Sequence, residues 1–378
     1  MVLDLNRRKR TRARLLAGAV IPALPLALAA DGSFDEAAQR RLVRYYLWAG
    51  AGGLAAAVHT TQFVIRDPHY GLFEPVLRVV ADEAGRWAAA HGAERPLLIA
   101  GAVGETEQAV AEARLARELG YDAVLLSPGG VTGGVTDDLI ARSEAVAAEL
   151  PLVGFYLQEA VGGRYLDEEY WRRLCCLPDL VAIKVACFDR YRTLDVLAAV
   201  VAAGAAERVA LYTGNDDQIL LDLVARYELP GPGGALCQLR FVGGLLGQWA
   251  CWTTRAVEQL ERARDWHRAL DSGLPLDVAA VERYFVEAAA VTRANAAVFD
   301  VVYRFAGCIA GINHVLWRQG LIASDRCLEA HEVLSPGQAE RIAAVVAAHP
   351  ELTDDAEVTA FLAADSKAGE AAGGGEGI

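Results

Sequence analysis

The sequence predicts an α/β protein, namely a TIM (β/α)8 barrel followed by a C-terminal helical extension. Between residues 17 and 240, eight short apolar runs alternate with amphipathic segments, which is the strand count of this barrel. The runs lack polar alternation, as is typical of parallel strands buried on both faces. An open doubly wound sheet is the competing fold, but the segment after the first run, LAADGSFDE, is not a glycine-rich phosphate loop.

The predicted strands follow one another along the chain with helical segments between them. Residues 35–50, 105–120, 136–150 and 189–204 have helical patterns, and several of these segments end in glycine, which commonly terminates a helix. The eight predicted strands are residues 18–28, 53–58, 97–102, 122–127, 151–156, 180–186, 208–213 and 234–239.

The N-terminal region allows two interpretations. Its basic start, apolar centre and small residues outline a secretory signal, which would suit a secreted sugar-binding protein. Pro22 and Pro25 interrupt the apolar part, however, and the barrel needs this segment as its first strand. We therefore expect residues 1–16 to be a solvated basic leader and residues 17–243 to form the barrel.

The region after the barrel is predicted to be helical and then disordered. Helical patterns cover residues 244–271, 277–293, 295–318 and 336–348, so residues 244–350 should pack on the outside of the barrel and build oligomer contacts. The end of the chain is small, polar and rich in glycine, and residues 351–378 are therefore expected to form a largely disordered tail.

The composition argues against several classes of protein. A net charge of −13 does not suit a nucleic-acid-binding protein, which needs a basic face to meet phosphates. No apolar stretch approaches the roughly 20 residues of a membrane-spanning helix. The seven cysteines lack the spacing of a metal site, and they suit buried side chains in a reducing cytoplasm. We therefore expect a cytoplasmic protein without a cysteine metal site.

One lysine stands out because the chain otherwise uses arginine. Lys9 and Lys367 lie near the ends, whereas Lys184 lies within the apolar run LVAIKVA. Burial destabilises an ammonium, so the pKa falls and a neutral, nucleophilic amine becomes available. This amine can condense with a ketone to a Schiff base, which arginine cannot do. A snorkelling lysine or a buried ion pair is the alternative, but the arginine bias and the sixth-strand position favour chemistry.

Other candidate residues lie at the ends of predicted strands, where a TIM barrel carries its reactive side chains. Tyr156 can shuttle protons, and Thr60 with Thr61 can hold a carboxylate through hydroxyl and backbone N–H groups. Gly214 lets the backbone approach a ligand, and His59 titrates near neutral pH. Each also has an ordinary explanation: packing for the tyrosine and histidine, β-propensity for the threonines, and a turn for the glycine.

From about residue 18 to residue 260 the chain resembles the dihydrodipicolinate synthase and N-acetylneuraminate lyase family of Schiff-base aldolases. The resemblance rests on the first turn and helix, DGSFDEAAQRRL, on the threonine pair in HTT, and on LLIAGAVGETEQAV and DAVLLSPGG in the third and fourth βα units. It also rests on the strands GFYLQ and LVAIKVA, which match in order and spacing, and on the turn GND.

The resemblance implies roles for particular residues. Lys184 would be the Schiff-base lysine, Tyr156 the proton relay, and Thr60 with Thr61 the cradle for the carboxylate of a 2-keto acid. It also implies a homo-oligomer, a dimer or tetramer, without metal or organic cofactor.

The departures from the family pattern concern the second substrate. The family's G-T-T-G-E reads HTTQF here, and Y-N-x-P reads YLQE. The arginine of the synthase aligns with Val161, and Arg164 lies nearby but displaced. Gly129 and Gly130 replace the aromatic residues expected after the fourth strand. These differences argue against the lysine-biosynthesis reaction.

The sequence thus predicts a lyase of aldolase type that forms a Schiff base with a 2-keto acid such as pyruvate. Its partners would be a small keto acid and an aldehyde. Two alternatives remain open, a Schiff-base dehydratase of a deoxy keto sugar acid and a non-catalytic ligand-binding barrel.

Overall fold

A barrel of eight parallel strands forms the centre of the protein, as predicted. The computed structural model describes residues 5–131 and 133–373. Seven of the barrel strands are the first seven strands of the chain, and the eighth is the last one, while the two strands between them form a separate hairpin. In chain order the strands are β1 (Val20–Pro22), β2 (Gly53–Ala56), β3 (Leu97–Ala102), β4 (Ala123–Leu126), β5 (Leu152–Leu157), β6 (Leu180–Ala186), β7 (Ala210–Thr213), β8 (Tyr227–Pro230), β9 (Leu236–Leu239) and β10 (Gly243–Leu246).

The barrel closes between its first two strands. The hydrogen-bonded order is β1-β10-β7-β6-β5-β4-β3-β2, and a parallel bridge between Ala23 and Ala55 joins the two ends of this order. Side chains alternate between two apolar layers. Ile21, Ile99 and Leu125 belong to the layer that fills the barrel, and the other layer lies between the strands and the surrounding helices.

Helices cover the outside of the barrel and continue after it. Aspartate side chains at Asp35, Asp167, Asp189 and Asp277 cap four of them by accepting hydrogen bonds from N–H groups of the first turn. The helices are α1 (Leu5–Leu16), α2 (Glu36–Trp48), α3 (Phe73–His91), α4 (Thr106–Glu118), α5 (Thr136–Ala147), α6 (Glu168–Cys175), α7 (Arg190–Ala202), α8 (Ile219–Val224), α9 (Thr253–Asp271), α10 (Val278–Val298), α11 (Cys308–Arg318), α12 (Gln338–Ala348) and α13 (Asp355–Gly373).

The predicted solvated leader is instead a helix packed on the barrel. Leu15 in α1 is fully buried in the layer that fills the barrel, and the Tyr212 hydroxyl donates to its carbonyl oxygen at 2.9 Å. Arg8 forms an ion pair with Asp179 at 2.5 Å. The prediction for residues 1–16 is therefore wrong for residues 5–16, because one face of this basic segment is apolar; residues 1–4 lie outside the described residues. Because α1 precedes β1, it covers the N-terminal end of the barrel.

The eighth barrel strand differs from the predicted one at residues 234–239. Residues 236–239 form β9, which pairs antiparallel with β8, and β10 completes the barrel. The glycine- and proline-rich segment at 231–234 favours the hairpin turn. Gly243 and Gly244 weaken the apolar signal of β10. A Cβ atom on Gly243 would lie 2.3 Å from the Ala19 carbonyl oxygen, so this close approach requires glycine.

The C-terminal region is helical, but its predicted bounds need correction. The helix predicted over 295–318 is interrupted by residues 299–307, which we call the C-terminal loop. The tail predicted to be disordered contains α13, which buries Val358 and Phe361, and Phe361 contacts Tyr45 with a ring-centroid distance of 5.5 Å. Apolar residues at helical spacing explain its order. Residues 374–378 lie outside the described residues. None of the described helices combines the length and hydrophobicity needed to cross a membrane.

Candidate active site

A pocket that is partly open to solvent lies at the C-terminal end of the barrel strands. Its walls come from the ends of β2, β5, β6, β7 and β10 and from the C-terminal loop with the first residue of α11. This is the end at which TIM barrels carry their active sites. The lining side chains on which the site depends are His59, Thr60, Phe155, Gln158, Lys184 and Asp216.

Lys184 reaches the pocket from β6 and is 8% exposed. Its Nζ lies 4.4 Å from the centroid of the Phe155 ring. Burial lowers the pKa of Lys184 to about 8, and the negative charge of Asp216 opposes this shift. A Cβ atom on Gly214 would lie 2.8 Å from Lys184 Cε. Gly214 thus makes room for the lysine stem, which is a more specific role than the predicted approach to a ligand.

Asp216 supplies the carboxylate of the site. Its Oδ1 is buried, and no group in the described part of the chain forms a hydrogen bond with it. Burial raises the pKa of Asp216 well above its ordinary value, and the Lys184 charge opposes that shift. Asn295 in α10 donates to the Asp216 carbonyl oxygen at 2.6 Å, which fixes the backbone after β7. An unpaired carboxylate oxygen facing the pocket can accept a proton from a bound molecule.

A buried polar network holds the loop between β7 and α8. Asn215 is 1% exposed and donates from Nδ2 to Thr193 Oγ1 at 3.2 Å and to Asp222 Oδ2 at 3.1 Å. Its Oδ1 accepts from the Phe188 N–H at 3.1 Å. Arg190 donates to the fully buried Asp222 at 2.6 Å. These bonds order the loop that carries Asp216 without contacting the pocket themselves.

Of the predicted residues after β2, the structure brings two to the pocket and not the third. His59 and Thr60 line it. Burial and the nearby Lys184 charge lower the pKa of His59 to about 4, so its imidazole is neutral near pH 7. Thr61 is fully buried, and its hydroxyl donates to the Leu24 carbonyl oxygen at 2.6 Å. The predicted use of the Thr61 hydroxyl in a carboxylate cradle is therefore wrong.

Tyr156 does not face the pocket, which corrects the predicted proton relay. Its ring packs in the layer outside the barrel against Trp171 of α6, with a centroid distance of 5.3 Å. Its hydroxyl accepts from the Leu166 N–H at 3.5 Å. The residue of β5 opposite Lys184 in the sheet is Phe155, and Phe155 lines the pocket.

A β-bulge in β6 explains why the sequence spacing wrongly predicted that Tyr156 faces the pocket. Leu152 pairs with Leu180, but the next residue, Val153, pairs with Ala182, so Val181 is an extra residue in β6. Both Val181 and Ala182 point into the barrel. Without the bulge the sequence spacing would place Tyr156 opposite Lys184. One extra residue exchanges the two faces of a strand relative to its neighbour.

Replacing Tyr156 with phenylalanine is expected to change turnover by less than about threefold, because its hydroxyl lies outside the barrel. A proton relay at this position would instead contribute roughly 10²-fold or more. Steady-state kinetics on Tyr156→Phe, with a thermal melt to check folding, distinguishes a packing role of Tyr156 from a proton relay. A loss of about 100-fold with an unchanged melting temperature would contradict the observed direction of the side chain.

Arg164 is not among the residues that line the pocket. Its guanidinium donates to the carbonyl oxygens of Gly133 at 2.6 Å and Gly134 at 3.2 Å, and so ties the loop after β5 to the loop after β4. Arg164, a possible site residue because it lies near the position of the synthase arginine, therefore does not reach the pocket.

Several residues of the site were missed by the sequence reasoning. Asp216 stands in the recognised GND turn and could have been found from its position after a strand, as could Gln158 after β5. Phe155 was hidden by the bulge. Cys308 lines the pocket from the start of α11, and a residue that far from the barrel gives no signal in the sequence.

Comparison with known sequences finds a relative of part of the chain. No protein-family model matches the chain. A protein from Streptomyces coelicolor named "probable 5-dehydro-4-deoxyglucarate dehydratase 2" is 31% identical over 169 residues, which are 44% of this chain and 47% of that protein. The match thus spans about half the length of that relative.

Solved structures cover nearly the whole chain. An E. coli prophage protein of the dihydrodipicolinic acid synthase family, in complex with pyruvate, has a TM-score of 0.67 and 18% identity over 89% of this chain and 98% of its own. N-acetylneuraminate lyase from Fusobacterium nucleatum has a TM-score of 0.63 and 16% identity over 90% and 100% of the two chains. At these identities the comparison confirms the TIM barrel and the predicted resemblance in fold.

Proposed function

We propose that this protein is a lyase that binds a 2-keto acid as a Schiff base on Lys184 and cleaves or forms a carbon–carbon bond next to it. The observation that carries the proposal is a buried amine with a lowered pKa, in a pocket, beside the carboxyl group of Asp216. Solved structures of the same fold include an N-acetylneuraminate lyase and a family member in complex with pyruvate, which supports the same chemistry.

The first half of the reaction is imine formation. The neutral Lys184 amine attacks the keto carbon, and the resulting carbinolamine loses water to give a protonated imine. The departing hydroxyl group takes its proton from solvent, because the pocket is open to solvent on one side. Thr60 would hold the substrate carboxylate. The imine withdraws electrons from the adjacent bond, so this step needs no organic cofactor.

The second half is cleavage. The ionised Asp216 takes the proton of the substrate hydroxyl, the carbon–carbon bond breaks, and its electron pair enters the imine to form an enamine while an aldehyde leaves. Asp216 returns the proton to the enamine carbon, and one water hydrolyses the imine to release the keto acid and the free amine. Protons balance, because Asp216 ends as it began and the proton taken up from solvent in imine formation returns to solvent on hydrolysis.

Reduction with borohydride in the presence of pyruvate tests this proposal. The chain contains three lysines, Lys9, Lys184 and Lys367, so peptide mass mapping assigns the adduct without ambiguity. We expect the adduct on Lys184, with the Lys9 and Lys367 peptides of the same sample as internal controls. Absence of an adduct with any 2-keto acid would instead support the non-catalytic barrel.

The amount of adduct formed in a fixed short time should depend on pH. Only the neutral amine reacts, and the pKa of Lys184 is about 8. The rate should therefore rise about tenfold per pH unit below that value and level off above it. A profile that keeps rising to pH 10 would contradict a desolvated lysine.

A dehydratase acting on a deoxy keto sugar acid is the second candidate, favoured by the similarity to the Streptomyces coelicolor protein. It would use the same imine but expel hydroxide. Product analysis distinguishes the dehydratase from the aldolase because dehydration releases no aldehyde.

The placement of Arg164 away from the pocket argues against the lysine-biosynthesis reaction. A cytoplasmic homo-oligomer, a dimer or tetramer, is the assembly that the resemblance suggests.

A further inference from the structure

The pocket around Lys184 is strongly aromatic. Four of the ten phenylalanines in the chain line it. Phe155 lies beside the lysine, Phe188 follows β6, and Phe299 and Phe305 come from the C-terminal loop. The rings of Phe188 and Phe305 meet edge to face at 5.8 Å, so the barrel and the C-terminal loop jointly form an apolar wall.

The same pocket contains few side chains that could bind a polar or doubly charged substrate. Among the described residues that line it, there is no arginine, Lys184 is the one cation, and Asp216 is the one carboxyl group. His59 is neutral near pH 7 because its pKa is lowered to about 4. The charge of the protonated imine faces the first carboxylate, so a second substrate carboxylate would meet no further cation and would be repelled by the ionised Asp216. Thr60 and Gln158 are the remaining polar side chains in the lining.

The two phenylalanines that meet across the pocket are held in place by specific contacts. Phe188 and Phe305 have φ angles of +52° and +70°, a region that bulky residues rarely adopt. The Phe188 N–H donates to Asn215 Oδ1. In the C-terminal loop, fully buried Asp300 accepts from the Gly307 N–H at 3.2 Å, and Arg341 donates to Asp300 at 2.8 Å. The surrounding structure thus imposes a backbone that places aromatic rings in the pocket.

We propose that the substrate is a 2-keto acid with a single carboxylate and an apolar, aryl or alkyl, distal group. This rests on the proposed Schiff-base chemistry. For an aryl compound the substrate is a 4-hydroxy-4-aryl-2-oxobutanoate. Its hydroxyl proton passes to Asp216, the bond between the third and fourth carbons breaks, an aryl aldehyde leaves, and the enamine on Lys184 is protonated and hydrolysed to pyruvate. The aryl ring packs against Phe188, Phe299 and Phe305.

A comparison of three substrates tests the substrate class. We expect kcat/KM for 4-hydroxy-2-oxo-4-phenylbutanoate to exceed that for 2-keto-3-deoxygluconate by at least about 30-fold, and that for the dicarboxylate 5-dehydro-4-deoxyglucarate by more. Pyruvate and borohydride form a separate arm that tests the Schiff base alone. An adduct on Lys184 together with a preference for either sugar acid overturns the substrate class, whereas failure of the pyruvate arm overturns the proposed function.

Variants in the C-terminal loop test how the substrate is recognised. Phe305→Ala should lower kcat/KM for the phenyl substrate about tenfold or more, and leave pyruvate trapping within about threefold. Val302→Ala is the matched control, because Val302 lies in the same loop and is 69% exposed. Phe305→Leu keeps the site apolar if the alanine variant does not fold, and should give a smaller loss. Equal losses for the phenyl substrate and for the sugar acids would contradict the proposal.

Discussion

Replacing Lys184 with arginine is expected to lower turnover by about 10⁴-fold or more and to abolish trapping by borohydride. Arginine keeps the positive charge but cannot become a neutral nucleophile at any pH the protein tolerates. Charge alone therefore cannot rescue the reaction. The measurement is steady-state cleavage of the best substrate, with mass analysis after reduction in the presence of pyruvate.

Two further variants make this result specific. Lys367→Arg makes the same exchange at an exposed lysine and should be fully active. Lys184→Met removes the charge but keeps a long side chain, so it shows whether the larger guanidinium disturbs the fold. Turnover of Lys184→Arg above about 1% of the original would mean that the keto acid is activated without an imine.

Replacing Asp216 with asparagine is expected to lower cleavage by roughly 10²-fold to 10³-fold while leaving imine formation intact. Asparagine cannot accept the proton of the substrate hydroxyl. The carboxylate also raises the pKa of Lys184, so its removal lowers that pKa further. More of the lysine is then neutral near pH 7, and the pH profile of trapping should move to lower pH.

Asp217→Asn is the matched control for this variant. Asp217 is the neighbouring carboxyl group but does not line the pocket, and its backbone carbonyl accepts from Thr292 at 2.9 Å. A structural role for Asp216 would reduce trapping and cleavage together. A selective loss of cleavage, with trapping moved to lower pH, is the result that assigns proton transfer to Asp216; an Asp216→Asn enzyme with unchanged cleavage would remove it from the mechanism.

The sequence predicted those features that depend on residues close together along the chain. Seven of the eight barrel strands and the position of Lys184 follow from continuous apolar runs, and the structure confirms them. The eighth strand was missed because Gly243 and Gly244 weaken its apolar signal. Tyr156 was misplaced because a bulge at Val181 changes the pairing of two strands without changing the spacing that the sequence shows.

The remaining parts of the site depend on distant segments. Phe299, Phe305 and Cys308 reach the pocket only because the loop after α10 folds back over the barrel. Their positions follow from contacts such as those of Asp300 and Gln338, and Gln338 donates to the Gly307 carbonyl oxygen at 2.9 Å. Residues separated by over a hundred positions carry no joint periodicity, so a single sequence cannot bring them together.

The helix α1 has a consequence for the order of events in catalysis. Leu15 closes the N-terminal end of the barrel, so molecules enter and leave the pocket only at the C-terminal end. In the proposed reaction Lys184 retains the keto acid at the inner end, and the aldehyde lies between it and the exit. The aldehyde must therefore depart before the hydrolytic water can reach the imine. Product inhibition should follow this sequence: the keto acid binds the free enzyme, and the aldehyde binds only the enzyme that already carries the enamine.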